Sequence, residues 1–336
     1  MASSTLFLSH LKKIKLTVDH IFPYDLDAFS SPRIRAERVY RKKWLPGSLD
    51  YPRVAAYLFY RSFGDDVILG NRRTTLLLGL LFSLYKPRHV RLIGYEIIFN
   101  FKDNPRTPRV IALWKRALKN IDLLVVHTPQ EVDYYARVFD VSPRKFRFVP
   151  FYVEETDFIG PTPGGYIFSA GRMERDFVAL LKAVKGTDIP VVIVADSAQR
   201  SELEQHATPH TTLHFNIPKE EYLGLLRGAR LVVISLRDGS SSRGQVVYLE
   251  TIRYGKPAIC SRVGGIVDYV DDGRTGWLVP PEDPEELKKA IASCFSDSEA
   301  LQEVGRRAYQ EQQARFSPSA FYQAYHRIIE ELHQAR

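Results

Sequence analysis

Two clusters in the C-terminal half combine cations, glycines and a carboxylate at spacings that suit an anionic, hydroxyl-rich ligand. The first is Gly171-Arg172-Met173-Glu174-Arg175-Asp176, which follows the apolar run Tyr166–Ala170. Gly171 permits a tight turn, the helix it opens offers free N–H groups, and Arg172 and Arg175 can grip a phosphate bidentately. Positive charge at a helix start otherwise opposes the helix dipole, which favours a ligand over two solvated arginines. The second cluster is Asp238-Gly239-Ser240-Ser241-Ser242-Arg243-Gly244-Gln245. It leads into apolar Val246, Val247, Leu249 and Ile252, with Glu250 among them, and then Gly255-Lys256-Pro257. Gly244 lets backbone amides approach a ligand, and Ser242, Arg243 and Gln245 supply polar contacts. A plain Ser/Gly loop without a ligand accounts for the same residues equally well. Gly264-Gly265 opens the next helix, either as a tight turn or with its amides facing a ligand.

The elements around these clusters alternate. Strand-like Tyr166–Ala170, Pro190–Ala195, Thr212–Phe215, Leu231–Ser235, Pro257–Ser261 and Trp277–Pro281 are separated by helix-like Asp176–Lys185, Ser201–Ala207, Lys219–Arg227 and Val246–Tyr254. Such a rhythm predicts a parallel sheet covered by helices on both faces, with ligands beyond the carboxyl ends of its strands. The first half repeats it less cleanly. Asp66–Leu69, Val90–Ile93, Leu123–His127 and Phe146–Pro150 read as strands, and Thr74–Tyr85, Pro108–Lys119 and Gln130–Phe139 as helices. Between the halves, Glu154–Gly165 is rich in Pro, Gly and Thr without periodicity and reads as a linker. The expected organisation is 1–153, linker 154–165, 166–315, and a C-terminal helix in 316–336.

The stretch Gln245–Asp283, together with Gly171-Arg172, resembles the nucleotide-sugar half of the retaining family 4 glycosyltransferases. The resemblance implies an α/β chain of the GT-B fold, two doubly wound Rossmann-like domains facing a central cleft, with the C-terminal helix packed back on the first. It implies transfer of a sugar from a nucleotide-sugar donor, UDP- or GDP-linked, to a hydroxyl. In its terms Gly171, Arg172, Arg175, Arg243, Gly244, Gly264 and Gly265 hold the donor, and Glu250 accepts from the ribose hydroxyls. Glu96, after the strand Val90–Ile93, becomes the acceptor-side carboxylate, ahead of His127; Ser242 and Gln245 fall beside the donor sugar. The chain departs from the pattern at three places. The lysine usually found after Gly-Arg is absent, Ser242 stands where a glutamate is usual, and the opening Thr5–Ser9, His10–Lys13 lacks the glycine-rich loop. A catalytically degenerate, nucleotide-sugar-binding relative is therefore the alternative. Asp25-Leu26-Asp27 spells the Asp-x-Asp of metal-dependent transferases but precedes nearly every strand, so no metal and no further cofactor is expected.

Aromatic residues at 12% and hydrophobic ones at 45% exclude a disordered chain. Charge is lopsided, with a surplus of +13 in residues 1–150 and −5 in the remainder. Arg33, Arg35, Arg38, Arg41, Lys42 and Lys43, interleaved with Ile34, Val39, Tyr40, Trp44 and Leu45, would as a helix suit an anionic membrane surface and a lipid or lipid-linked acceptor. No nucleic-acid module accompanies them. Cys260 and Cys294 read as buried thiols, no apolar run reaches a membrane span, and no export signal is evident. The expected location is cytoplasmic, peripheral on the inner membrane face.

Overall fold

The computed structural model describes residues 13–18, 25–38, 50–99, 107–172, 174–238 and 243–335. The chain divides after Pro150 and again after Ala320 into two compact units, residues from Phe321 onward grouping with the first.

The first unit runs β1 (Ile14–Val18), α1 (Leu26–Phe29), β2 (Ile34–Arg38), α2 (Asp50–Arg61), β3 (Val67–Gly70), α3 (Arg72–Leu81), β4 (Arg91–Gly94), α4 (Thr107–Leu118), β5 (Leu123–Val126), α5 (Pro129–Phe139) and β6 (Phe146–Phe148). Its six strands are parallel in the order β2-β1-β3-β4-β5-β6. β3 and β5 are buried along their whole length, which is why they are unbroken apolar runs. Asn71 caps α3 by accepting from the Arg73 and Thr74 amides, and Thr128 with Glu131 makes a capping box on α5. Asp25 accepts from the Asp27 amide and starts α1, so the Asp-x-Asp pair is a helix cap here.

Residues 34–38 correct one expectation. They form an edge strand in register with β1, pairing Ile14 with Ile34 and Val18 with Arg38, and are not part of a cationic helix. Ile34 is buried while Arg35 is exposed. A strand with one wet side can carry Arg35, Glu37 and Arg38 and is protected by them from edge-on pairing. Arg41, Lys42 and Lys43, like the opening segment Thr5–Lys12, lie outside the described residues.

The second unit runs β7 (Ile167–Ala170), α6 (Phe177–Ala183), β8 (Val191–Ala195), α7 (Arg200–His206), β9 (Thr211–Phe215), α8 (Lys219–Gly228), β10 (Leu231–Ile234), α9 (Gln245–Ile252), β11 (Ala258–Ser261), β12 (Trp277–Val279), α10 (Pro284–Ser296) and α11 (Ser298–Arg315). The strands are again parallel, in the order β12-β11-β10-β7-β8-β9. Phe168, Val232, Ile234 and Tyr248 share one core, and Ile167, Leu180, Ile193 and Ile291 another. The last helix, α12 (Pro318–Gln334), brings Tyr322 and Tyr325 edge-on to Phe29, with ring centroids 5.1 and 5.4 Å away.

Residues 154–165 run along the second unit. The Ile159 and Gly160 amides donate to the Tyr254 carbonyl at 3.0 and 2.9 Å, and the Thr162 amide donates to Ala229 O at 3.1 Å. Lys256 is buried beneath this segment, its Nζ donating to Thr162 Oγ1 and Ala229 O at 2.9 and 3.0 Å. Burial pushes its amine down to about 8. Between pH 8 and the ordinary lysine value near 10.5, the folded chain has released a proton that the unfolded chain still holds. Stability relative to Lys256→Met should therefore be constant below pH 8 and rise through that window. Denaturant midpoints of both proteins at neutral and alkaline pH test this; a gap that does not widen in favour of lysine contradicts it.

Candidate functional site

In the second sheet the strand order reverses at β7 and β10, and a ligand crevice forms where loops leave such a switch point in opposite directions. Two loops meet there. Arg175 bridges to Leu236 in antiparallel fashion, the Arg237 amide donates to Glu174 O at 3.1 Å, and the Asp176 amide donates to Ser235 O at 3.1 Å. The loop carrying Gly171-Arg172 and the loop leading to Gly244-Gln245 are thereby locked together. Asp176 accepts from the Ala179 amide at 3.0 Å and caps α6.

Arg175 lies folded back over its own loop. It is 8% exposed, and its Nε donates to Ala170 O at 2.9 Å. Gly171, at φ 144°, makes that possible, because a Cβ there would overlap Arg175 Nε and stand 2.6 Å from its Nη2. Burial lowers the guanidinium to about 10, and the like charge of Arg243 adds to the effect. Arg243 makes a 3.1 Å ion contact with Glu174, whose own backbone sits at φ 52°. Two largely desolvated guanidiniums thus act on one another, and one of them, Arg243, is paired with a carboxylate. Arg172, by contrast, is exposed and makes no ion pair among the described residues.

α9 starts immediately after Gly244. Gln245 is 3% exposed and its Nε2 is a buried donor with no hydrogen-bond partner. One and a half turns on, Glu250 is mostly buried between Arg253 at 3.0 Å and Lys219 at 3.9 Å, and its Oε2 accepts no hydrogen bond. Its Oε1 has only the more distant Lys219 beside it among the described residues, so the carboxylate retains acceptor capacity for a hydroxyl donor.

The other expected residues fall as follows. Gly264-Gly265 leads into a single 3-10 turn, Ile266–Asp268, and not into a full helix. Ser242 and Met173 lie outside the described residues. In the first unit Glu96 sits just past the carboxyl end of β4 at φ 50°, half-buried; the Tyr325 hydroxyl on α12 is raised by its burial, and the charge of Glu96 adds to that. His127 is buried against Val149 O, with Nδ1 2.9 Å away, and desolvation lowers it to about 4. It is neutral near pH 7 and packed as a structural residue. Glu174 was not singled out in the sequence, where nothing signals its ion contact with the distant Arg243. Cys260 and Cys294 are buried free thiols, and no helix among the described residues is long and apolar enough to cross a membrane. Nor do three or more His, Cys, Asp or Glu side chains come together there as a metal cage would.

Residues 166–297 match the model of the family described as glycosyl transferases group 1. Among curated relatives, D-rhamnosyltransferase WbpZ of Pseudomonas aeruginosa is 33% identical over 134 residues, 38% of this chain and 35% of that one. A D-inositol 3-phosphate glycosyltransferase of Corynebacterium jeikeium is 26% identical over 256 residues, 65% of this chain and 59% of that one. The matches thus span from about a third to three-fifths of these relatives' lengths. Among solved structures, Anabaena HepE in complex with UDP superposes with a TM-score of 0.69 at 13% identity, over 95% of this chain and all of that one. Sucrose-phosphate synthase of Thermosynechococcus elongatus gives 0.67 at 21% identity, over 96% of this chain and 89% of that one. The matched segment is the one that carries Gly171, Arg175, Gln245 and Glu250, and the likeness of fold extends over both sheets. Residues 166–297 thus resemble the glycosyl transferases group 1 family, and the two parallel six-stranded sheets have the GT-B fold.

Proposed function

We propose that the protein transfers a sugar from a nucleotide-sugar donor to a hydroxyl acceptor. The observation that carries this reading is the crowding of Arg175 and Arg243 at the switch point, beside the unpartnered Gln245 Nε2. Clustered guanidiniums suit a diphosphate, whose charge grows as the sugar bond breaks, so fixed cations there stabilise the transition state more than the ground state. Arg172 and Arg175 are assigned to the diphosphate, with Arg243 steadied by Glu174. Gln245 donates to the donor's phosphate or sugar oxygens, taking over part of the role of the missing glutamate. Glu250 accepts from the ribose diol, and Glu96 is the carboxylate that orients the acceptor hydroxyl. Retention of configuration follows the resemblance to family 4 and is part of the proposal, as is UDP as the leading nucleotide, since HepE was crystallised with it.

Calorimetric titration with UDP- and GDP-sugars tests the donor half of this reading. Arg172→Ala should weaken binding about tenfold or more, by loss of a charge-assisted hydrogen bond. Glu250→Gln should weaken UDP binding about tenfold and 2′-deoxy-UDP binding far less, because the lost partner is the ribose hydroxyl. Equal losses for both nucleotides would make Glu250 a structural ion-pair partner of Arg253. Donor binding without turnover in an acceptor screen would support the degenerate, binding-only reading raised by Ser242.

A further inference from the structure

The described residues expose nine large hydrophobic side chains, and five of them, Tyr57, Tyr60, Phe63, Leu84 and Tyr85, belong to two adjoining segments of the first unit. Tyr57 and Tyr60 neighbour each other on α2, Phe63 follows that helix, and Leu84-Tyr85 follows α3. The Phe63 and Tyr85 rings stack across the two segments with centroids 5.7 Å apart and planes 7° from parallel. Tyr60 is 72% and Leu84 82% exposed, so the group is one solvent-facing patch rather than scattered rings. It sits where the chain enters β3 and β4, at the end of the strands opposite to Glu96.

Charge decides what would cover it. From Tyr51 to Arg91 the chain holds seven arginines and lysines and two acids, Asp65 and Asp66. Both acids are buried: Arg61 grips Asp65 at 3.0 Å, and Asp66 accepts from the Lys15 amide at 2.9 Å. Arg53 and Arg88 are exposed, and neither makes an ion pair among the described residues. A second copy of this chain, docked patch to patch, would set these cations against like charge. Tyrosine and phenylalanine rings rimmed by arginine instead match the headgroup layer of a bilayer with a negative surface. We propose that this patch docks the protein on an anionic lipid surface, the rings entering the headgroup layer and Arg53 and Arg88 facing lipid phosphates. The inference does not depend on the assignment of the donor site.

The test is co-sedimentation of the full chain with vesicles of phosphatidylcholine, with and without phosphatidylglycerol. The wild type should bind only the anionic vesicles and release as salt is raised. The triple variant Tyr60→Ser, Phe63→Ser, Tyr85→Ser and, separately, Arg88→Glu should each lose about tenfold in binding. Thermal melting and donor titration serve as fold controls, and these exposed positions should leave both unchanged. No wild-type binding, or equal binding by wild type and variants, overturns the proposal. So does a dimer in sedimentation velocity that the triple variant dissolves, which would give the patch to a second copy.

Discussion

Arg175→Met should weaken nucleotide-sugar binding about a hundredfold while leaving the apo protein at least as stable as the wild type. The two directions have one cause. Arg175 is desolvated and lies near Arg243, which is why its guanidinium falls to about 10. Holding the charge there costs folding energy that a methionine of similar length does not incur. The same charge makes strong hydrogen bonds to a diphosphate, each worth about 1.5–3 kcal/mol, so losing it costs on the order of ten- to a hundredfold and more in affinity. Calorimetry and thermal melting of the two proteins, side by side, read both numbers. A melting point that drops sharply with affinity unchanged would make Arg175 a structural residue, through its bond to Ala170 O, and remove it from the donor site.

Gly305→Ala should destabilise the protein by about 2 kcal/mol without touching donor affinity. In the middle of α11, alanine would normally gain up to about 1 kcal/mol over glycine in helix propensity. Here an added Cβ would collide with the carbonyl oxygen of Gly255, a backbone atom with no rotamer through which to escape. Overpacking of that kind costs about 1–3 kcal/mol and sometimes more, so the clash outweighs the propensity. Gly255 is hemmed in on its other side by the Phe158 ring, which closes the route by which the loop could yield. For a unit of this size the loss corresponds to roughly 4–8 °C in melting temperature. An unchanged or raised melting point would show that α11 can slide away from the loop.

The second unit was legible because its strands are buried on both sides, so Val191–Ala195 and Leu231–Ile234 stand out as apolar runs between amphipathic helices. The opening of the chain was not. β2 lies at a sheet edge, and its sequence IRAER hides a strand under charges that a one-sided environment tolerates. The reading of a cationic helix over this stretch failed at residues 34–38 for the same reason. At the site, the sequence supplied the cation at 175 and the glycine at 171 but not their relation. That Arg175 turns back over Gly171, and that Arg243 meets Glu174 across 69 positions of sequence, are facts of tertiary packing. Gly264-Gly265 signalled a turn, but the element after it is a single 3-10 turn and not the helix expected.

α12 carries a consequence for how the protein comes into being. Phe321, Tyr325, Ile328 and Ile329 are buried in the first unit, yet a ribosome makes them only after every residue of the second. At about 5–20 residues per second, roughly 10–30 s of synthesis separate Pro150 from Phe321. Throughout that interval Phe29 lacks the two tyrosine rings that cover it, while the second unit, continuous in sequence, can close as soon as it emerges. The nascent chain therefore finishes its latter half first and waits, with an apolar seam open, for its final helix to complete the half it began with.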